Sequence, residues 1–141
     1  MLPRIVIDTN VIIAALGSTK GASSKLLSLV GMGKFDLTIS VPLVMEYEDV
    51  AKRLARSFGL LHRDIDDILD FLCQIGEQRK IHFLWRPFLK DPKDDMVLEL
   101  AVESGCDYIV TFNGKDFVGA DQFGMSVIPP KEFLRIIGEL S

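Results

Sequence analysis

Apolar residues along this chain follow two alternating rhythms: short runs that are apolar throughout, and longer stretches in which they return every third or fourth position. The runs Ile5-Val6-Ile7 and Tyr108-Ile109-Val110 leave no polar face, as expected of strands covered on both sides. Leu43, Tyr47, Val50, Ala51, Leu54 and Phe58 recur at helical spacing and form one stripe, and Ile65, Ile68, Leu69, Leu72 and Ile75 form another. The pattern predicts strands at 4–8, 36–40, 80–84 and 108–111, with a short one near 127. It predicts helices at 11–16, 23–33, 42–58, 64–78, 95–104 and 131–140. Such alternation implies an α/β fold, a parallel sheet with helices on both faces.

Local chemistry marks several boundaries. Pro42 suits a first helical position, Asp64 can cap the helix that follows it, and Gly33 and Gly105 suit helix ends. No linker, repeat or low-complexity tract interrupts the 141 residues, so positions 1–141 read as a single domain with one core. At 48% apolar residues and a mean hydropathy of +0.27 the chain is not a disordered one. No apolar run approaches the ~18 residues of a membrane helix. Met-Leu-Pro-Arg leads into the first strand without a basic and then apolar leader, so a cytoplasmic location and no membrane partner are expected.

Cys73 and Cys106 lie within or beside apolar helical patterns, without Cys-x-x-Cys or Cys/His spacing, and read as small buried hydrophobes. His62 and His82 are isolated, which removes a structural zinc site and a histidine triad from consideration. The net charge of −4 argues against a general duplex binder, which needs Lys and Arg in excess on its contact face. It leaves a nuclease open, because site carboxylates supply part of that charge and bound divalent cations would invert the local field.

The acids fall where strands end or helices begin. Asp8 follows the first strand, Glu46 lies in the first turns after Pro42, Asp94 and Asp95 precede an apolar helix, and Asp116 follows the strand 108–111. Ligands of an open parallel sheet gather beyond the carboxyl ends of its strands, so acids distant in sequence can meet there. Each has a structural reading alone: Asp8-Thr9-Asn10 as a helix cap, Glu46 as a partner of the helix dipole, Asp91 to Asp95 as a solvated loop, Asn113-Gly114 as a turn. Together they have a chemical one. A cap needs one polar residue rather than three, and three acids within five positions repel one another unless a cation intervenes. Thr9, Asn10, Thr111 and Asn113 would add neutral polar groups beside them. Oxygen-only donors indicate Mg²⁺ or Mn²⁺ rather than zinc or copper, and such ions support displacement at phosphorus by an activated water.

The chain resembles the PIN domain family, and within it the ribonuclease toxins of toxin-antitoxin pairs. The resemblance is carried by Ile5-Val6-Ile7-Asp8-Thr9-Asn10-Val11, by Ile39-Ser40-Val41-Pro42 leading to Glu46, and by Asp91-Pro92-Lys93-Asp94-Asp95. It continues in Asp107-Tyr108-Ile109-Val110-Thr111 followed by Asp116-Phe117, and in the closing Ile128-Pro129-Pro130-Lys131-Glu132-Phe133-Leu134. It implies a three-layer α/β/α sandwich around a mostly parallel sheet of about five strands, Mg²⁺ or Mn²⁺ dependence, and endonucleolytic cleavage of single-stranded RNA. It places Asp8, Glu46 and Asp94 on the principal metal-binding acids and Asp116 on the fourth, with Asp95 one register step from Asp94. Thr111 and Asn113 match polar positions beside them; many relatives carry Asp where this chain has Asn113. A homodimer and a cognate antitoxin laid across the active site are further implications.

RNA needs a cationic approach. Lys52, Arg53 and Arg56 cluster on a helix, while Arg86, Lys90, Lys93 and Lys115 fall in loops flanking the acids and are the better candidates. Competing α/β readings lack their signatures. A receiver domain needs an acid pair after the first strand, a haloacid-dehalogenase-like phosphatase needs Asp-x-Asp where this chain has Asp8-Thr9-Asn10, and a phosphate-binding NTPase needs GxxxxGK[ST]. The remaining alternative is a PIN fold kept as an RNA- or protein-binding module with cleavage lost.

Overall fold

The computed structural model describes residues 1–80 and 88–140. Five strands, β1 (Arg4–Ile7), β2 (Asp36–Ile39), β3 (Glu77–Gln78), β4 (Tyr108–Val110) and β5 (Ser126–Ile128), form one sheet in the order β3-β2-β1-β4-β5. Every neighbouring pair is parallel. Helices α1 (Thr9–Gly17), α2 (Ala22–Ser28), α3 (Val41–Leu54), α4 (His62–Ile75), α5 (Pro92–Glu103) and α6 (Pro130–Ile136) flank it, completing the expected three-layer α/β/α sandwich. Short 3₁₀ segments follow α3 at Ala55–Phe58 and β4 at Gly114–Phe117 and Ala120–Phe123.

β1 is the middle strand, and Ile5, Val6 and Ile7 are each 0% exposed, which is why this run carries no polar alternation. The chain winds outward from β1 through β2 to β3, then crosses back to place β4 and β5 on the other side. The winding therefore reverses between β1 and β4, the position in a doubly wound sheet where a crevice opens beyond the strand ends. Register makes that crevice narrow: Ile7 pairs with Val110, so Asp8 and Thr111 leave the sheet at the same level.

The elements differ from the sequence expectation mainly at their ends. Helix α2 stops at Ser28, and the chain then turns through Gly31 and Gly33 instead of continuing the helix. The segment 64–78 divides: α4 runs from His62 to Ile75, and Glu77–Gln78 form the edge strand β3 against Thr38 and Ile39. Of the strand expected at 80–84, residues 81–84 lie outside the described residues. Asp64 sits in the first turn of α4 and reaches back, its Oδ2 accepting from the Leu61 N–H at 2.8 Å. Gly105 does end a helix. It adopts φ +67°, its N–H donates to the Val102 carbonyl, and the Cys106 N–H donates to that of Ala101, closing α5 with a Schellman motif.

Candidate metal centre

Four elements deliver an acid each to the β1/β4 end of the sheet. Asp8 is the N-cap of α1: its Oδ1 accepts from the Thr9 N–H at 2.8 Å and its Oδ2 from the Thr111 hydroxyl at 2.8 Å. Asn10 links the same loops, with Nδ2 donating to Thr111 Oγ1 at 3.2 Å and to Asp8 Oδ2 at 3.4 Å, and Oδ1 accepting from the Phe112 N–H at 3.3 Å. The Asn113 N–H also donates to Thr111 Oγ1, at 3.1 Å. Thr111 is thus the hub that holds the β1 and β4 exits together.

Glu46 arrives from α3. That helix opens at Ser40, whose Oγ accepts from the Leu43 N–H at 3.3 Å, with Pro42 in its first turn. One turn on, Glu46 Oε2 accepts the hydroxyl of Thr9. Its other oxygen lies 3.8 Å from the Lys93 ammonium. Next to it the fully buried Tyr47 donates its phenol to the carbonyl of Ile7, tying α3 to the last residue of β1 before Asp8.

Asp94 and Asp95 diverge within the first turn of α5. Asp91 caps this helix, its Oδ1 accepting from the Lys93 N–H at 2.9 Å. Asp95 is buried and its Oδ1 receives the Phe88 and Leu89 N–H groups at 3.2 and 2.9 Å, so it fastens the preceding segment to the helix. Asp94 instead lines a cleft of about 660 Å³ with Asp116, from the 3₁₀ segment after β4, and with Lys90 and Lys115.

The acids feel one another electrostatically. Burial, then the charges of Asp8, Asp91, Asp116 and Glu46, push the Asp94 carboxyl from its ordinary 3.8 up to about 6. Asp8 is also raised, chiefly by burial and further by Glu46 and Asp116, while the Thr111 hydroxyl and the Thr9 N–H oppose the shift. Burial raises the Tyr47 phenol well above its usual range, with Asp8 and Glu46 adding to the effect. Among the described residues, no three His, Cys, Asp or Glu side chains close into a metal-ligand group. The donors nonetheless fit a hard divalent cation in kind: they are carboxylates, with the proton affinities of Asp8 and Asp94 raised in part by their acidic neighbours, flanked by hydroxyl and amide groups.

A family model of the PIN domain matches residues 4–115. The chain belongs to the PIN domain family. No curated protein matches the chain significantly. PIN domains are in general nucleases, and the matched span covers β1 through the start of the segment carrying Asp116, so it includes Asp8, Glu46, Asp94 and Asp95.

The cations of this PIN domain divide between α3 and the segments beside the acids. Lys52 bridges Glu48 at 2.9 Å and Asp66 at 2.7 Å, and Arg53 pairs with Asp49 at 3.1 Å, so these α3 cations are matched by acids. Lys93 faces Glu46 while remaining largely exposed. Lys90 and Lys115 line the cleft. Arg86 and His82 lie outside the described residues. Tyr47 was legible only as part of the buried stripe of α3. Its hydroxyl was a signal, since a buried phenol requires an acceptor, but the acceptor's identity was not legible.

Proposed function

We propose that this PIN domain is a metal-dependent endoribonuclease that cleaves single-stranded RNA, with Asp8, Glu46, Asp94 and Asp116 holding Mg²⁺ or Mn²⁺. The observation that carries the reading is the convergence of Asp94 and Asp116 on one cleft, where Asp94, partly buried, also feels the charges of Asp8, Glu46 and Asp91 and gains proton affinity. Such repulsion costs folding free energy unless a cation offsets it. A divalent ion, when bound, supplies activation of the attacking water and stabilisation of the charge that develops on the phosphorane oxygens. The protein's own residues do the rest. Thr111 and the Thr9 N–H keep Asp8 oriented and favour its ionised form, Thr9 positions Glu46, and Lys90 and Lys115 draw the phosphodiester chain into the cleft. Asp95 supports the site through the 88–89 backbone, so the proposed ligand set is centred on Asp94.

The proposal includes the role of toxin in a toxin-antitoxin pair, as the resemblance implies, and association of two copies. Support for the second comes from α4, which leaves Phe71 and Ile75 44% and 46% exposed. Light scattering alone and with the product of the adjacent gene tests both associations.

The decisive test of the activity is cleavage of single-stranded RNA in Mg²⁺, Mn²⁺ or EDTA by wild type, Asp8→Asn and Asp94→Asn purified identically. Metal-dependent cleavage reduced at least about 100-fold in both variants is expected. Wild type without cleavage and without a metal-induced rise in Tm would instead favour the binding-module reading.

A further inference from the structure

The cleft that contains Asp94 and Asp116 has an apolar wall that the phosphodiester chemistry does not use. Phe88 and Val118 form it, next to Lys90 and Lys115, and are 43% and 76% exposed. Phe88 is nevertheless fixed in place. Its N–H donates to Asp95 Oδ1, and its ring meets that of Phe123 edge to face, with centroids 5.4 Å apart and planes at 71°. Gly119, at φ +91°, lies against the same ring: a Cβ there would come within 3.2 Å of Phe88 Cζ. An immobilised phenyl that stays exposed inside a charged cleft has already lost the freedom that binding would otherwise remove.

The neighbours select the ligand. A phenyl face beside two lysines, on the rim of an acidic site, is complementary to a flat π-system attached to an anionic backbone. We propose that Phe88 and Val118 form a base subsite, in which one unpaired nucleobase of the RNA stacks on the Phe88 ring while Lys90 and Lys115 take the flanking phosphates. The inference rests on the nuclease reading and deepens it. In a duplex both faces of each base are covered by its neighbours, so only a single strand can offer a face to Phe88. The subsite thereby supplies a physical reason for single-strand preference. An apolar peptide would use the wall but leave the two lysines without partners.

The test is fluorescence anisotropy with a labelled single-stranded RNA dodecamer and its fully abasic counterpart, which keeps the phosphates and removes the bases. Measurements are made in EDTA and in Mg²⁺, with Mg²⁺ affinities taken before cleavage begins. Wild type is expected to prefer the base-containing strand about tenfold, in line with one stacked base. Phe88→Ala and Phe88→Leu should lose the preference, while Phe88→Trp retains it. Leu preserves apolar packing against Phe123 and Gly119, so a folded Phe88→Leu protein separates stacking from packing. Lys115→Ala should weaken both strands alike and lower the salt slope by about one. Ile136→Ala, at an exposed position on α6, should bind as wild type does.

Equal affinity for the two strands, a preference that survives Phe88→Leu, or no binding of either strand would overturn the subsite. Metal-dependent cleavage accompanied by any of these overturns the subsite while sparing the nuclease reading. A Phe88-dependent base preference without metal-dependent cleavage does the reverse.

Discussion

Thr111 donates its hydroxyl to Asp8 at 2.8 Å although the two residues are 103 positions apart in the chain. The contact follows from strand register. Ile7 pairs with Val110 in adjacent parallel strands, and the Asp8 N–H continues the ladder to the Val110 carbonyl at 2.9 Å, so the next side chains meet as both strands leave the sheet. A donated hydroxyl favours the ionised carboxylate, and here it works against burial and the neighbouring Glu46 and Asp116 charges.

Thr111→Val keeps the shape and removes this donor. Asp8 loses a hydrogen bond that lowers its pKa, and Asn10 and Asn113 lose their shared acceptor. The expected cost is about 1–3 kcal/mol by denaturant unfolding. Because Asp8 must be ionised to hold a cation, the acidic limb of the cleavage profile should move to higher pH. Thr111→Ser should recover most of both effects. A profile that stays in place with Val would show that Thr111 is not tuning Asp8.

Tyr47→Phe removes the phenol that ties α3 to Ile7. The site is fully buried, so water cannot replace the lost donor, and a loss of about 1–3 kcal/mol is expected. Glu46 is the preceding residue on α3, so cleavage should weaken through looser positioning of that carboxylate. Equilibrium unfolding and kcat at saturating Mg²⁺ measure the two effects; a stable variant with unchanged kcat would leave Tyr47 a packing residue only.

The buried strands and several helix starts were legible because their signals are local. Ile5-Val6-Ile7 and Tyr108-Ile109-Val110 lack any polar face, and Pro42 marks the first turn of α3. β3 was not, because Glu77 and Gln78 form no apolar run and are a strand only through backbone pairing with β2. The four acids were legible as residues at element ends. Their neighbours depended on distance: one step of α5 turns Asp95 toward the 88–89 backbone and leaves Asp94 on the cleft. The matching of Lys52 by Asp66, 14 positions on and across a helix pair, likewise had no local signature.

Asp95 gives a way to separate support from ligation. Asp95→Ala removes the acceptor of two N–H groups and should destabilise the fold by about 1.5–3 kcal/mol, as expected for hydrogen bonds to a charged group. Asp95→Asn retains a carbonyl acceptor and should cost less. With the proposed ligands intact, Mg²⁺ affinity measured by calorimetry should change little in Asp95→Asn, whereas Asp94→Asn should weaken it at least tenfold. Equal losses in the two Asn variants would place Asp95 among the ligands.

The raised Asp94 carboxyl ties stability to pH with a definite sign. Its folded value of about 6 lies above the ordinary 3.8, so between those values the folded protein binds more protons than the unfolded chain. Metal-free stability should therefore fall as pH rises from about 4 to about 6, and this contribution should be flat above. Asp94→Asn removes the group, so the difference in Tm between wild type and variant isolates it from other titrating residues. In EDTA at pH 7 the variant should melt a few °C higher than wild type. Mg²⁺ should reverse the order, because the cation binds the ionised carboxylates and stabilises the folded state by mass action. Its effect on wild-type Tm should grow as pH rises through about 6 and be much smaller in Asp94→Asn. A Mg²⁺ shift independent of pH, or equal in the two proteins, would mean that Asp94 is not part of the cation site.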